Sequence, residues 1–258
     1  MAILTRSGYA LPATSLEFKT GTWRTQRPQH LYQPAPCHTA CPAGENAQAY
    51  LAYVQTGHNR QAWETLVTAN PLPAITGRVC PHPCEAACNR GQYDEAISIH
   101  AVERFLGDEA IARQWAYPLK AVDKAAPEIA IVGAGPGGLS AAYHLVRRGY
   151  RVIIFDEHTE AGGTLRTALP AYRLPRSVLD AEIARLLALD GIQFQPHTRL
   201  GREVHLEELQ QQYPAVFLAP GAQRSMEWSI DGVVPRDLRS GFELLKEWVD
   251  IGEVPKPN

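Results

Sequence analysis

The sequence predicts an α + α/β protein in which an all-helical domain precedes a Rossmann-like α/β domain. Two observations support this prediction. Helical periodicity and all five cysteines of the 258-residue chain lie before residue 122, whereas strand-like and helix-like segments alternate from Glu128 onwards. Such alternation is typical of βαβ units with a parallel sheet. We therefore expect an extended arm over 1–36, a helical domain over 37–122 and an α/β domain over 127–258.

Composition narrows the class of protein. With 45% hydrophobic and 20% charged residues, the chain is expected to be globular. Its formal net charge of −2 gives no electrostatic reason to expect nucleic acid as a partner. The chain has no apolar run of about 18 residues, the length of a transmembrane helix. Its first residues, MAILTRSGYALPATS, contain no apolar core of the length found in signal peptides. We therefore expect a cytoplasmic protein that does not insert into a membrane.

Three helices are expected in the first domain, from Glu45 to Gly57, over 60–69 and over 101–115. In the first, apolar residues follow a helical repeat: Ala47, Tyr50, Leu51 and Val54. In the third, four apolar residues can share one face: Val102, Phe105, Leu106 and Ile111. Trp63 and Trp115 are expected in the core of this domain rather than in an electron relay.

The five cysteines form two groups, Cys37 and Cys41, and Cys80, Cys84 and Cys88. Their spacing of four residues would place the thiols on one face of a helical turn. Clustered cysteines in a cytosolic protein indicate a metal or redox site more than disulfides. Zinc sites use matched pairs, which a two-plus-three division fits poorly, whereas an iron–sulfur cluster takes three or four thiolates from separate segments. The pattern favours a cluster; zinc and buried thiols without a metal are the alternatives.

The α/β domain is expected to begin with a strand that runs into a glycine-rich loop. The further elements are a helix over 137–148, a strand over 150–156, a helix over 176–190, a strand over 192–196, a helix over 206–213 and a strand over 215–219. Gly149 and Gly191 follow the two longer helices, and glycine is the residue that most often ends a helix.

The glycine-rich loop predicts a dinucleotide site. Gly133, Gly135 and Gly138 fill a G-x-G-x-x-G pattern, with Pro136 inside it. The first glycine permits a tight turn, the second lets a pyrophosphate approach the backbone, and the third lets helix and strand pack closely. The following helix offers free N–H groups and its positive dipole end to phosphate. Asp156 ends the next strand, where it can accept from a ribose hydroxyl; a turn without a ligand is the alternative.

Two later segments favour FAD over NAD as the cofactor. EAGGTLR at 160–166, with Gly162, Gly163 and Leu165, resembles the second glycine pair of flavoproteins that have two dinucleotide-binding domains. AVFLAPGA at 215–222, with Gly221, resembles the A-T-G-A segment of the same class, although Pro220 stands where threonine is usual. The resemblance implies that FAD binds along these segments.

Longer segments resemble the NAD(P)H-dependent glutamate synthase small subunit family. They are PCHTACPAGENAQAYL at 36–51, NPLPAITGRVCPHPCEAACNR at 70–90, ISIHAVERFLGD at 97–108 and LPAYRLPRSVLDAEI at 169–183. The wider group includes the N-terminal part of dihydropyrimidine dehydrogenase. The resemblance implies a helical iron–sulfur domain, an FAD domain and an NAD(P)H domain inserted into it. Electrons would pass from NAD(P)H to FAD and through [4Fe-4S] clusters to a partner subunit or domain.

The resemblance also implies a ligand set. One cluster would use three cysteines and an acid on the following helix, namely Cys41, Cys80, Cys84 and Glu103; an ordinary surface acid is the alternative for Glu103. A second cluster would use Cys37 and Cys88 with an upstream C-x2-C pair, where this chain has Gln29 and Tyr32. The second cluster is therefore expected to be absent or reorganised, leaving Cys37 and Cys88 structural or in competition as ligands.

The chain is similar only to the N-terminal portion of this family. It ends at IGEVPKPN, where the family continues into a second glycine-rich fingerprint for NAD(P)H and a segment that completes the FAD domain. The α/β domain is therefore expected to be incomplete at its C-terminus, and the chain alone is not expected to oxidise NAD(P)H. Arg173 is expected at an FAD or inter-domain contact, with a plain surface position as the alternative.

An electron-transfer role follows from these expectations. FAD accepts hydride and can release single electrons, so neither a side-chain nucleophile nor a general base is expected. The partner would be a redox subunit or a downstream domain. The alternative is a non-enzymatic module that docks to a partner through its iron–sulfur domain and has a weak or empty flavin site. The two hypotheses differ in whether the purified protein carries flavin.

Overall fold

The computed structural model describes residues 34–225 and 239–251. The helices are α1 (Pro36–Ala40), α2 (Ala47–Gln55), α3 (Asn59–Leu66), α4 (Pro73–Val79), α5 (Pro83–Ala86), α6 (Ile99–Ala112), α7 (Pro136–Arg147), α8 (Thr164–Thr167), α9 (Arg176–Leu187), α10 (Leu206–Gln212) and α11 (Gly241–Ile251), with a 3₁₀ helix over Asn89–Gln92. The strands are β1 (Glu128–Val132), β2 (Arg151–Phe155), β3 (Ile192–Gln195) and β4 (Val216–Leu218). The predicted arm over 1–36 lies outside the described residues except for its last three.

The strands form a parallel sheet in the order β3-β2-β1-β4. Successive residues of β1 point into two separate cores. Ile131 packs in the core shared with α7 and α9, whereas Ala130 and Val132 pack with Leu209 of α10. Both faces of the sheet are thus covered by helices, as in doubly wound α/β folds. The predicted fold class, helices followed by a Rossmann-like domain, is confirmed. None of the helices in the described ranges is both long and apolar enough to cross a bilayer.

The face that α6 buries agrees with the predicted one only in part. Its buried residues are Ile99, Glu103, Leu106, Gly107 and Ala110, so Leu106 lies inward as predicted, whereas Phe105 is 44% exposed. A glycine and a carboxyl group take inward positions that the pattern gave to large apolar side chains. At Gly107 the reason is α4, whose backbone approaches too closely for a side chain to fit between the two helices.

The cysteine segment is also less regular than predicted. Cys80 ends α4 in an extended conformation, and His82 has a left-handed backbone with φ 56°. Pro81 and Pro83 flank His82, and a proline disfavours helical geometry in the residue before it. A new helix, α5, therefore begins after His82 and contains Cys84. The three cysteines of this segment do not share one helix face.

Helices α4 and α6 cross with their backbones in contact. A Cβ atom added at Gly77 would lie 2.5 Å from the backbone nitrogen of Arg104, and one added at Gly107 would lie 2.3 Å from that of Ala74. Real Cβ atoms do not approach backbone this closely, so only glycine permits the crossing. The crossing brings the end of α4, where Cys80 lies, to the turn of α6 that carries Glu103.

A buried carboxylate joins the helical domain to the α/β domain. Glu182 of α9 is fully buried, and its two oxygens accept the N–H groups of Ala74 and Ile75 at 2.9 and 2.8 Å. These N–H groups belong to the first turn of α4, which starts at Pro73 and has no capping side chain of its own. Burial raises the pKa of Glu182 to about 7, whereas both N–H groups and the Arg185 guanidinium favour its ionised form.

The Glu182→Ala variant is expected to lose about 2–4 kcal/mol of stability, because the buried N–H of Ala74 loses its acceptor and that of Ile75 keeps only the carbonyl oxygen of Leu72, at 3.1 Å. Urea unfolding followed by circular dichroism measures this loss. The control is Asp180→Ala on the same helix, where an exposed pair with Arg166 is removed and the change should stay below about 1 kcal/mol. Equal effects of both variants would contradict the capping role of Glu182.

The Gly107→Ala variant is expected to lose about 1–3 kcal/mol of stability, because its methyl group must push α4 away. Gly241→Ala is the control, since a Cβ atom there meets nothing within 4 Å. Both variants are compared by their free energies of unfolding in urea. A Gly107→Ala variant as stable as the control would show that the two helices can separate without cost.

Candidate metal centre and dinucleotide site

Four of the predicted metal ligands converge in the helical domain. Cys41 follows α1, Cys80 ends α4, Cys84 lies in α5, and Glu103 lies in α6. The packing of α1 on α5 and of α4 on α6 brings them together. Their charges are close enough to interact, because Glu103 and Cys41 both raise the pKa values of Cys80 and Cys84.

Three of the four groups, Cys80, Cys84 and Glu103, lie where an anion is costly. Burial, followed by the charge of Glu103, raises the pKa of the Cys84 thiol to about 12. Burial also raises the pKa of Cys80, and it raises that of Glu103 to about 9 together with the charge of Glu45. Three thiols and a carboxyl group that repel one another as anions fit a cationic centre, which would stabilise their ionised forms.

The thiols of Cys41, Cys80 and Cys84 are not arranged as a preformed zinc site. Among the described residues, which include all five cysteines, the only group of three metal-binding side chains within 4.8 Å of one another is His82, Glu85 and His100. Zinc binds thiolates at about 2.3 Å, which places its sulfur ligands about 4 Å apart. At least two of the three thiols therefore lie farther apart than the thiolates of a single zinc ion.

The group of His82, Glu85 and His100 supports the cysteine segment from outside. Glu85 Oε1 lies 2.9 Å from the His100 N–H and 2.7 Å from its Nδ1, and the His100 ring stacks on His82 at 4.0 Å. Burial lowers the pKa of His82, and the charges of His100 and Arg173 lower it further. Glu85 thus ties α5 to the first turn of α6, and Arg173 of the α/β domain lies near the cysteine segment.

The other two cysteines have different surroundings. Cys37 is partly buried and packs against the main core. Cys88 precedes the 3₁₀ helix, and N–H groups of Ile97, Arg90 and Gly91 lower the pKa of its thiol. Cys88 is therefore the thiol most readily ionised among those with a shifted pKa, although neither residue shares the charge interactions of the four converging groups.

A large cavity lies at the carboxyl ends of β1, β2 and β4, with a volume of about 990 Å³. This is the position and size expected of a dinucleotide site in such a sheet. Six of the predicted cofactor residues line it: Gly133, Gly135, Pro136, Asp156, Gly163 and Gly221. Four others do not line it: Gly138, Gly162, Leu165 and Arg173.

Two glycines of the loop, Gly133 and Gly138, are required by close contacts. Gly133 has φ 103°, and a Cβ atom there would lie 2.1 Å from the carbonyl oxygen of Ala219 in the segment after β4. A Cβ atom at Gly138 would lie 1.9 Å from the carbonyl oxygen of Gly133. Gly138 therefore serves the packing of α7 on the loop, which explains why it does not line the cavity.

Asp156 fixes the loop as well as lining the cavity. Its Oδ2 accepts the N–H of Ala134 at 2.6 Å, and its Oδ1 accepts the N–H of His158 at 2.9 Å. His158 Nδ1 also lies 2.8 Å from Oδ1. Each carboxylate oxygen can accept more than one hydrogen bond, so a ribose hydroxyl can still be bound. His158 was not predicted as part of the site, although its position two residues after an aspartate is typical of an Asx turn.

Comparison with known protein families supports both domains. Residues 24–115 match the family of dihydropyrimidine dehydrogenase domain II, which is described as having a 4Fe-4S cluster. Residues 131–185 match the NAD(P)-binding Rossmann-like domain family. The predicted iron–sulfur domain and the predicted dinucleotide-binding domain are thereby confirmed.

Two bacterial proteins are similar in sequence to this chain over part of their length. The chain is 35% identical over 218 residues to the NADPH-Fe(3+) oxidoreductase subunit beta of Geobacter sulfurreducens, which covers 83% of this chain and 32% of that protein. It is 34% identical over 194 residues to the glutamate synthase [NADPH] small chain of Bacillus subtilis, which covers 75% and 39%. The chain therefore spans about a third to two fifths of these relatives.

Among solved structures, the chain is similar to Mycobacterium tuberculosis FprA in complex with NADPH. The TM-score is 0.39 at 24% sequence identity, and the match covers 42% of this chain and 25% of that one.

In the metal-free protein, Cys88 is expected to react with iodoacetamide well before Cys84 near pH 7. An ordinary thiol, with a pKa of about 8.5, is mostly neutral there, and only the thiolate reacts. The lowered pKa of Cys88 increases its thiolate fraction, whereas Cys84 with a pKa of about 12 stays neutral and buried. Peptide mass spectrometry measures both rates, and faster labelling of Cys84 would contradict the structure.

Proposed function

We propose that this chain is an iron–sulfur flavoprotein of the glutamate synthase small subunit-like group, and that it transfers electrons between FAD and a [4Fe-4S] cluster. An oxidoreductase role in electron transfer is common to its matched domains and its named relatives. The observation that supports the finer assignment is the convergence of Cys41, Cys80, Cys84 and Glu103 beside a domain that carries a dinucleotide cavity.

The proposed cluster ligands are Cys41, Cys80, Cys84 and Glu103. The three cysteines belong to the ends of α1 and α4 and to α5, and the carboxyl group belongs to α6. Cys84 and Glu103 are buried, and Cys41 and Cys80 are partly buried, so an electron transferred here would meet a lower dielectric than that of water. A carboxylate in place of a fourth thiolate changes the electron density supplied to one iron atom, which would shift the reduction potential.

The proposed FAD site is the cavity at the end of the sheet. The N-terminus of α7, with Gly135 as its N-cap, would bind the pyrophosphate, and Asp156 would accept from the adenosine ribose. Gly163, which lies against Gly135, and Gly221 also line the cavity and would leave room for the cofactor. Bound FAD would accept two electrons as a hydride and release them one at a time. A cluster carries single electrons.

The chain's own residues would keep the two sites at a fixed separation. Glu182 caps α4 from the α/β domain, and the charge of Arg173 acts on His82, between Cys80 and Cys84. Electron transfer requires that the two cofactors be held at fixed positions. It does not require a side chain that transfers a proton. Since the named relatives include a subunit beta and a small chain of NADPH enzymes, we further propose NAD(P)H as the electron source and a partner subunit or domain as the acceptor.

Two variants are expected to separate the cofactors. Cys84→Ser should abolish iron and sulfide binding while flavin content stays at the wild-type level. Gly135→Asp should do the reverse, because a carboxylate at this N-cap suits the helix but repels a pyrophosphate. A Cβ atom at Gly135 meets nothing closer than 4.0 Å, so the fold should tolerate the change. Each variant is the control for the other.

The measurements are iron, acid-labile sulfide and flavin content of protein purified without oxygen. Wild-type protein with zinc but neither iron nor sulfide would refute the cluster. Iron and sulfide without flavin would instead favour the docking module, in which the chain transfers no electrons from a dinucleotide. Loss of both cofactors in both variants would contradict the separate sites.

A further inference from the structure

A buried tyrosine connects two carboxyl groups beside the proposed cluster ligands. The hydroxyl of Tyr50 in α2 lies 3.2 Å from Oε1 of Glu103 and 3.4 Å from Oε2 of Glu45. Tyr50 is fully buried, and both carboxyl groups belong to buried residues. A hydroxyl has one hydrogen to donate, so Tyr50 can satisfy one carboxylate fully or both in part.

This arrangement is costly without a compensating function. Two buried carboxyl groups repel each other when ionised, and a buried charge must be paired or strongly hydrogen-bonded. The hydroxyl of Tyr50 is the donor that lies within reach of both carboxyl groups.

Glu45 is anchored to the same loop as the first proposed cysteine ligand. Its carbonyl oxygen lies 2.7 Å from Nδ1 of His38 in α1, and Cys41 lies between these two residues in the chain. Asn46, the next residue, caps the N-terminus of α2 by accepting the N–H of Ala49 at 3.2 Å. The loop, α2 and Glu103 are thus fixed to one another through Glu45 and Tyr50.

We propose that Tyr50 and Glu45 are positioning residues for the cluster, which orient the Glu103 carboxylate and set its electron density. The inference rests on the proposed function, because it takes Glu103 as a ligand. Tyr50 withdraws electron density from Glu103 through its hydrogen bond, which favours the reduced cluster. Glu45 adds negative charge at close range, which disfavours the reduced cluster. The two residues therefore act on the cluster in opposite directions.

The test measures the midpoint potential of the cluster in the full chain, loaded with iron and sulfide and titrated without oxygen. EPR spectroscopy follows the reduced cluster. Tyr50→Phe is expected to lower the potential, because Glu103 loses its donor. Glu45→Gln is expected to raise it, because a negative charge is removed. Both variants should also alter the EPR spectrum, since the surroundings of one ligand change.

Two matched controls separate these effects from general damage to the helices. Tyr53→Phe removes a hydroxyl from the same helix at a side chain that is 43% exposed, and Glu64→Gln removes a carboxylate that is paired with Arg60 on the surface of α3. Both controls are expected to keep the wild-type potential and EPR spectrum. A merely structural role would give shifts of the same sign in Tyr50→Phe and Glu45→Gln, or none.

The failure of this inference is distinct from failure of the proposed function. A wild-type protein that binds no iron and sulfide would refute the cluster and the inference together. A loaded wild-type protein, with potentials unchanged or shifted in the same direction by both variants, would overturn only the inference. Should Tyr50→Phe not fold, Glu45→Gln still decides, since an unchanged or lowered potential contradicts the role of Glu45.

Discussion

The contact between the backbones of α4 and α6 is the constraint on which the candidate metal centre depends. Gly77 and Gly107 leave no side chain between the two helices, so the end of one lies directly against the middle of the other. Cys80 is carried by the first helix and Glu103 by the second. A larger residue at either glycine would move a thiol relative to a carboxyl group, and with it the geometry of any centre that they share.

Electrostatics gives the same region its chemical character. Cys80, Cys84 and Glu103 have raised pKa values there, because burial and mutual repulsion both favour protonated, neutral forms. The ionised forms of these groups are poorly stabilised by neighbouring residues, but a bound positive charge would stabilise them. The dinucleotide cavity is the opposite case, since its helix N-terminus and glycine backbone offer positive partial charge to an anionic ligand. The two sites thus select ligands of opposite sign.

The sequence predicted those features that depend on local pattern. The strand, glycine loop and helix after Glu128 were predicted correctly, because glycine spacing and alternating hydrophobicity report local geometry directly. The inward face of α6 was not fully predicted, because it arises from contact with α4. The bends around His82 were not predicted either, because they arise from the two prolines that flank this residue. Arg173 was assigned to FAD or to an inter-domain contact, and it lies near His82 rather than in the cavity. Glu182 gave no local signal at all, since its partners are more than a hundred residues away.

Glu182 also bears on how such proteins can be assembled by gene fusion. The first turn of α4 has no cap in its own domain and takes both acceptors from α9. In a cysteine-bearing helical domain transferred to another dinucleotide-binding domain, the N–H of Ala74 would lose its acceptor, and that of Ile75 would keep only the carbonyl oxygen of Leu72. Successful recombination would have to transfer α9 with it, or to find a carboxylate at the equivalent place. A helix that supplies this carboxylate is therefore part of what stabilises the helical domain, even though each domain has a recognisable family of its own.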